Sequence, residues 1–272
     1  MCPPGSTLVT PPGECCATCS PVTTSAWTPK ELGKQLVFWF DPTSLTPTSA
    51  GEVMAWIDLS SNGNHATPPT SDYAPAYDAS GIDGLPSALF SGPITFLDIL
   101  DSPTLEWGTD DFAVFAVVRA TSETAPDAMI YQKTGPPPYD GPSLYLNTTK
   151  PVELPFAAAQ VSGAVYVVSV APPATYLDGV AHVLGARRAG ATLEIRVDGA
   201  VSNSITSPDV ASVDVSAPGL DAIIGQNGYG VPSPEFQQLH GDVAELIGVH
   251  GTFADADVAM LERYLMSRYG IL

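Results

Sequence analysis

Apolar positions along the chain fall in short runs separated by clusters of Pro, Gly, Asn and Asp, and the run lengths and alternation read as strands. The run Leu-Val-Phe-Trp-Phe at residues 36–40 predicts a buried strand ended by a turn at Asp41-Pro42. Residues 112–119, Phe-Ala-Val-Phe-Ala-Val-Val-Arg, are almost continuously apolar, the pattern of a strand in the middle of a sandwich. From Leu193 the sequence Leu-Glu-Ile-Arg-Val-Asp-Gly alternates strictly. That alternation puts Leu193, Ile195 and Val197 inward, Glu194 and Arg196 outward, and a turn at Asp198-Gly199. Further strands are predicted at 88–90, 128–133, 144–147, 164–170, 182–186, 223–225 and in the glycine-rich stretch 239–251. Only at the C-terminal end does the period change. Val258, Leu261 and Leu265 recur at helical spacing with Tyr264 beside them, predicting a helix that starts near Asp255 and stops at Gly270. An acidic Asp255 suits the exposed amides and the positive end of the helix dipole. Strands in regular succession without intervening helices predict an all-β fold, two packed antiparallel sheets with one C-terminal helix.

Composition agrees with that pattern. A chain of 272 residues, 44% hydrophobic, buries one large core, and 27 Pro with 24 Gly suit many short strands joined by turns. Charge changes the picture more. With 29 acidic residues against 10 basic ones, a net of −19, nucleic acid is excluded as a partner, because phosphate binding needs clustered Lys and Arg. The acidic surface serves solubility, with calcium coordination by some carboxylates as the alternative. No apolar run approaches the roughly 20 residues of a membrane span, so no membrane insertion is expected. No basic-then-apolar leader is visible, which leaves two expected locations. One is the extracellular space after removal of a leader; the other is the surface of a particle such as a virion.

The N-terminal residues are organised differently. Cys2, Cys15, Cys16 and Cys19 all lie in residues 1–20, a stretch too poor in apolar residues to build a core, so covalent bonds are expected to order it. Two intramolecular disulfides are the first reading, although four cysteines allow three pairings and adjacent Cys15 and Cys16 are poorly placed to join each other. A zinc site and bonds between chains are the alternatives; the latter would make the arm a clasp in an assembly of neighbouring copies or coat proteins. Residues 21–28 read as a linker and 29–272 as the body. The segment 12–19, Pro-Gly-Glu-Cys-Cys-Ala-Thr-Cys, resembles the closing Cys-Cys-x-x-Cys of von Willebrand factor C repeats.

Three features of the body resemble one family. They are residues 56–67, Trp-Ile-Asp-Leu-Ser-Ser-Asn-Gly-Asn-His-Ala-Thr, the glycine-rich strand 239–251, and the closing helix ending Arg-Tyr-Leu-Met-Ser-Arg-Tyr-Gly at Gly270. Together, over residues 26–272, they are similar to the laminin-G-like branch of the concanavalin A-like jelly rolls, as found in surface proteins. The resemblance implies a jelly-roll sandwich, a structural closing helix involving Leu261, Leu265 and Tyr269, and a structural role for Glu245 in satisfying backbone or turn donors. Ser61 stands where relatives carry a first Gly in the loop.

Candidate chemistry is sparse. No glutamate begins the Glu-x-Asp-x-x-Glu pattern that places two carboxylates about 5 Å apart in related retaining glycosidases, and Asp242 and Glu245, at odd spacing, are expected on opposite faces of their strand. No Gly-x-Ser-x-Gly, His-Glu-x-x-His or phosphate loop occurs, and His65, His182, His240 and His250 are scattered. The polar loop from Asp58 to Asn64 reads first as a turn closed by its own side chains, with Gly63 supplying a left-handed conformation. Oxygens of Asp58 and Asn62 are the alternative as calcium ligands. Sugar binding needs aromatic rings beside polar groups on exposed loops. Asn227 and Tyr229 in 226–235, and Tyr139 in 133–140, offer this, with rigid rims or subunit contacts as the bland reading. The expectation is a non-catalytic, surface-displayed recognition module that needs no cofactor and takes a glycan or cell-surface ligand. The alternative is a structural particle component assembled through the cysteine arm, and a glucanase-type hydrolase stands third.

Overall fold

The computed structural model describes residues 27–91, 94–120, 128–134, 140–147, 156–162, 166–169, 176–226 and 238–271, with backbone alone at 6–9, 18–21, 147, 156–158, 162 and 166–169. The strands are β1 (Ser6–Val9), β2 (Thr18–Pro21), β3 (Leu36–Pro47), β4 (Val53–Asp58), β5 (Ala66–Thr67), β6 (Ala76–Ile82), β7 (Leu85–Phe90), β8 (Leu97–Ile99) and β9 (Phe112–Ala120). They continue as β10 (Ala128–Gln132), β11 (Asp140–Asn147), β12 (Phe156–Ser162), β13 (Tyr166–Ser169), β14 (Ala181–Ala189), β15 (Thr192–Val197), β16 (Ala200–Thr206), β17 (Ala222–Ile224) and β18 (Gly241–His250). Helix α1 is Pro208–Ser212 and α2 is Asp255–Arg268.

Every pairing is antiparallel, as the all-β expectation requires. One hydrogen-bonded path runs β13-β12-β11-β10-β17-β8-β5-β4-β3-β18-β9-β14-β15-β16, and the β6–β7 hairpin joins it at β18. The path rolls over on itself, so that β12 lies against β14 and β15, and β13 against β15 and β16. This is a two-sheet jelly-roll sandwich.

Alternation decides what fills it. Between the sheets, Phe38, Phe40, Trp56, Trp107, Phe112, Val114 and Tyr131 pack with Leu193, Ile195 and Val197, the three positions that alternation placed inward. Trp107 and Tyr131 rings stack 6.2 Å apart, and Phe38 sits 5.2 Å from Tyr131. A second cluster lies on the other face of β9, β14 and β18, where Phe115, Val117 and Ile247 receive Val258, Leu261 and Leu265 of α2. This second cover explains why residues 112–119 are apolar at every position. Asp198 (φ 47°) and Gly199 (φ 82°) form the turn between β15 and β16, both left-handed as a tight primed turn demands.

Four expectations are corrected. Asp41-Pro42 does not end β3: Asp41 Oδ1 accepts the Thr43 amide at 2.7 Å in a local turn, and pairing with β4 resumes after a register shift between Phe40 and Leu45. Asp255 does not cap α2. Ala254 occupies the cap without a side-chain bond, and Asp255 instead meets Arg187 Nη2 at 2.8 Å. Asp242 and Glu245 are not on opposite faces, because a register shift between Val243 and Glu245 puts both on the helix side of β18. Nor does Glu245 serve backbone donors. It accepts Trp39 Nε1 at 2.7 Å and Tyr269 Oη at 3.0 Å, with Arg268 Nε at 3.6 Å. Strands β1, β2, β4, β5, β6, β8, β12 and β16 are additions to the sequence expectation.

Candidate functional site

The Asp58 loop is built as a closed turn. Asp58 Oδ1 accepts the amides of Trp39 (2.9 Å) and Ser60 (2.8 Å), while Oδ2 accepts Ser60 Oγ (2.6 Å) and the Asn64 amide (2.9 Å). Asn62 Nδ2 donates to the carbonyls of Leu36 and Val37, each at 2.8 Å, and Asn64 Nδ2 donates to Val37 O at 2.9 Å. His65 Nδ1 accepts the Asp58 amide at 3.1 Å, and Gly63 has φ 73°. Both oxygens of Asp58 therefore face donors that a calcium ion would have to displace. Asp58→Asn should destabilise the fold by about 1–3 kcal/mol by turning an amide group toward those donors. The loss should be equal in excess chelator and in excess calcium, measured by urea unfolding. A calcium-dependent stabilisation that the variant abolishes would assign an ion here. Among the described residues, no group of three or more His, Cys, Asp or Glu could hold a metal ion.

The other sequence candidates are dispersed. Tyr139, Asn227, Tyr229, Cys2, Cys15 and Cys16 lie outside the described residues. Cys19 sits in β2, where its backbone is opposite Leu8 of β1. His182 Nδ1 lies 2.8 Å from Asp198 Oδ2, and His250 Nε2 lies 3.2 Å from Asp110 Oδ2.

A recess of about 270 Å³ opens on the outer face of the second sheet, lined by Asp98, Gln132, Thr134, Gly219, Leu220, Asp221 and Ile223. Strand alternation creates it. Leu97, Ile99, Ala222, Ile224 and Tyr131 point into the core. Their neighbours Asp98, Ile223 and Gln132 therefore form one cross-strand row on the opposite face of β8, β17 and β10. The next position in that row is Ser143, whose Oγ is buried without a hydrogen-bond partner.

A buried cation fixes the floor and rim. Lys133 has no solvent exposure, and its Nζ lies 2.8 Å from Asp101 Oδ1, 2.9 Å from Glu106 Oε1, 2.9 Å from Ala217 O and 2.7 Å from Leu220 O. Asp101 Oδ2 also accepts the Gly219 amide at 2.7 Å, and Glu106 Oε2 accepts the Ala217 amide at 3.0 Å. The Lys133 hydrogen bond outweighs desolvation and holds the Asp101 carboxyl down at about 2. The segment 217–221 is thus pinned from below, which aims Leu220 and Asp221 at the recess. Asp98 behaves oppositely. Burial first, and the like charge of Asp221 second, push its carboxyl up to about 6. Leu220 and, one residue before Asp101, Leu100 are both exposed large apolar side chains. The recess therefore combines carboxylate acceptors, an amide, a hydroxyl and aliphatic surface, the mixture expected of a small-ligand site.

None of Asp98, Gln132, Lys133 or Asp221 stands out as a site residue in the sequence. One signal was available: Lys133 ends an apolar strand in a chain with only 10 basic residues, and such a cation needs buried partners. Two loops singled out from the sequence do adjoin the recess along the chain. Residues 135–139 follow Thr134, and 227–237 follow β17 and Gln226.

Comparisons with known proteins return this architecture. No family model matches the sequence, and no curated protein matches it. Among solved structures, the binding domain of Paraclostridial Mosquitocidal Protein 1 matches with a TM-score of 0.62 at 11% identity, covering 86% of this chain and 53% of that one. Domain 4 of AbnA, a GH43 extracellular arabinanase from Geobacillus stearothermophilus, in complex with arabinotriose, matches at 0.54 and 14% identity, covering 84% and 98%. The CBM40 of the Ruminococcus gnavus IT-sialidase bound to α2,3 sialyllactose matches at 0.50 and 12% identity, covering 65% and 95%. The chain spans about half the length of the mosquitocidal binding-domain structure. The class the fold defines is the jelly-roll-like β-sandwich seen in binding domains of toxins and carbohydrate-active enzymes. The suggested von Willebrand factor C tail has no support among these matches.

Proposed function

We propose that this chain is a non-catalytic, extracellular or surface-displayed recognition module for glycans, and that the recess at Asp98, Gln132 and Asp221 is its binding site. The observation that carries the reading is the pinned recess itself: hydrogen-bonding groups on β8 and β10 and on Asp221 just before β17, set beside aliphatic surface, with the rim held in place by a buried lysine. Carboxylates and amides accept from sugar hydroxyls, and Ile223 and Leu220 offer a surface for the C–H face of a ring. Similar folds in complex with arabinotriose and with sialyllactose support a sugar ligand. Tyr139, Asn227 and Tyr229, outside the described residues, are further proposed sugar contacts on the strength of their sequence context alone. No helix of the described residues is long and apolar enough to cross a membrane.

Asp98→Asn tests the site. Above pH 6 wild-type Asp98 is charged in a half-buried position beside Asp221, so the neutral variant should be more stable by roughly 1 kcal/mol after allowance for its partial exposure. The same variant should lose at least about ten-fold in affinity on a glycan array or by calorimetry, about 1.4 kcal/mol, as expected for one hydrogen bond to a charged group. A variant that gains stability and keeps full affinity would remove Asp98 from the site.

A second reading uses the same pair. A carboxyl pushed up to about 6 by burial and a neighbouring carboxylate shares one property with a glycosidase general acid. Asp221 is exposed, and its Oδ1 accepts the Asp101 amide at 2.8 Å, so it is held as a rim group. Release of reducing sugar from any array-positive oligosaccharide, lost in Asp98→Asn, would favour hydrolysis.

A further inference from the structure

Resting on the glycan-binding reading, we infer that the recess selects neutral, hydroxyl-rich sugars and rejects anionic ones such as sialic and uronic acids. Its titratable lining, among the described residues, is acidic: Asp98 and Asp221, with Asp101 directly behind Asp221. The nearby cation cannot serve an anionic ligand. Lys133 Nζ is buried and engaged by two carboxylates and two carbonyls, and freeing it would strand all four. The remaining polar groups of the lining, Gln132 and Thr134, are neutral and suit hydroxyls. Ser143 Oγ, buried without a partner and next to Gln132 in the cross-strand row, adds one more neutral group on that face. A carboxylate entering the recess would face two like charges, one of them half-buried, where screening by water is weakened. The strongly negative chain, at −19, adds a repulsive field around the mouth.

The test is calorimetry of the full chain with matched probes: lactose against 3′-sialyllactose, and xylotriose and arabinotriose against a glucuronate-bearing xylotriose. The neutral member of at least one pair should bind, and its anionic counterpart should bind at least ten-fold more weakly. Raising the salt from low to molar concentration should narrow that gap, because the exposed Asp221 is screened. The double variant Asp98→Asn with Asp221→Asn should close it while weakening the neutral sugar. Preferential binding of sialyllactose or of the glucuronate-bearing sugar would overturn the inference and leave the recognition reading standing. Failure of every probe and of a broad glycan array would overturn the recognition reading itself, and this inference with it.

Discussion

Lys133→Met should destabilise the protein by about 3–5 kcal/mol and abolish ligand binding at the recess. The side chain is entirely buried, and its removal leaves the carboxylates of Asp101 and Glu106 and the carbonyls of Ala217 and Leu220 without their shared cation. Asp101, held near 2 by that cation, would stay charged without its main stabilising partner, and the Gly219 and Ala217 amides would lose well-placed acceptors. The rim segment 217–221 would then come loose from the floor of the recess. Urea unfolding measures the first effect and calorimetry the second. Adding Asp101→Asn and Glu106→Gln to Lys133→Met should recover part of the stability, because a neutral network strands no charge. A loss below about 1 kcal/mol in the single variant would show that solvent replaces the lysine and that the network does not hold the rim.

The second large effect concerns pH and lies on the opposite side of the sandwich. Burial pushes Glu245 up to about 7 against the opposing influence of Arg268, Trp39 and Tyr269. Its folded value is above its unfolded one, so the folded state holds this proton more tightly. That stabilisation is complete below about 4.5 and is lost as pH rises through about 7. The span corresponds to a fall on the order of 3 kcal/mol. His182 acts in the same direction. Burial opposes its charge, but Asp198 and Asp178 raise its value overall, so its contribution also declines as pH rises through that raised value. Glu245→Gln should flatten the Glu245 part of the decline while keeping an acceptor for Trp39 Nε1. Glu245→Ala should cost about 2–4 kcal/mol near pH 5, where it leaves Trp39 Nε1 and Tyr269 Oη unpaired in the layer between β18, β3 and α2. Denaturation midpoints from pH 4 to 8 for the three proteins isolate the contribution. A wild-type profile parallel to that of Glu245→Gln would show that Glu245 stays charged throughout.

The corrections at Asp41 and Glu245 share a cause. In both places the chain changes register within a strand, and a shift of one residue reverses which face a side chain takes. Alternation read from the sequence assumes an unbroken strand. It therefore succeeded for Leu193, Ile195 and Val197, which lie in register with β14, and failed where β18 carries an extra residue. Strand β8 is three residues long, too short for any period to register, although it carries Asp98.

The sequence alone determined the class of architecture: alternating and continuous apolar runs, abundant turn residues and one period change near Asp255 admit a β-sandwich with a closing helix and little else. Only the tertiary structure decided where the recess forms. Asp98 and Asp221 are far apart along the chain, and it takes the pairing of β8 with β17 and the burial of Lys133 beneath the rim to bring them together. Local pattern reports which face a residue takes, whereas a binding site depends on which distant strands pair, and that is settled by how the whole core closes.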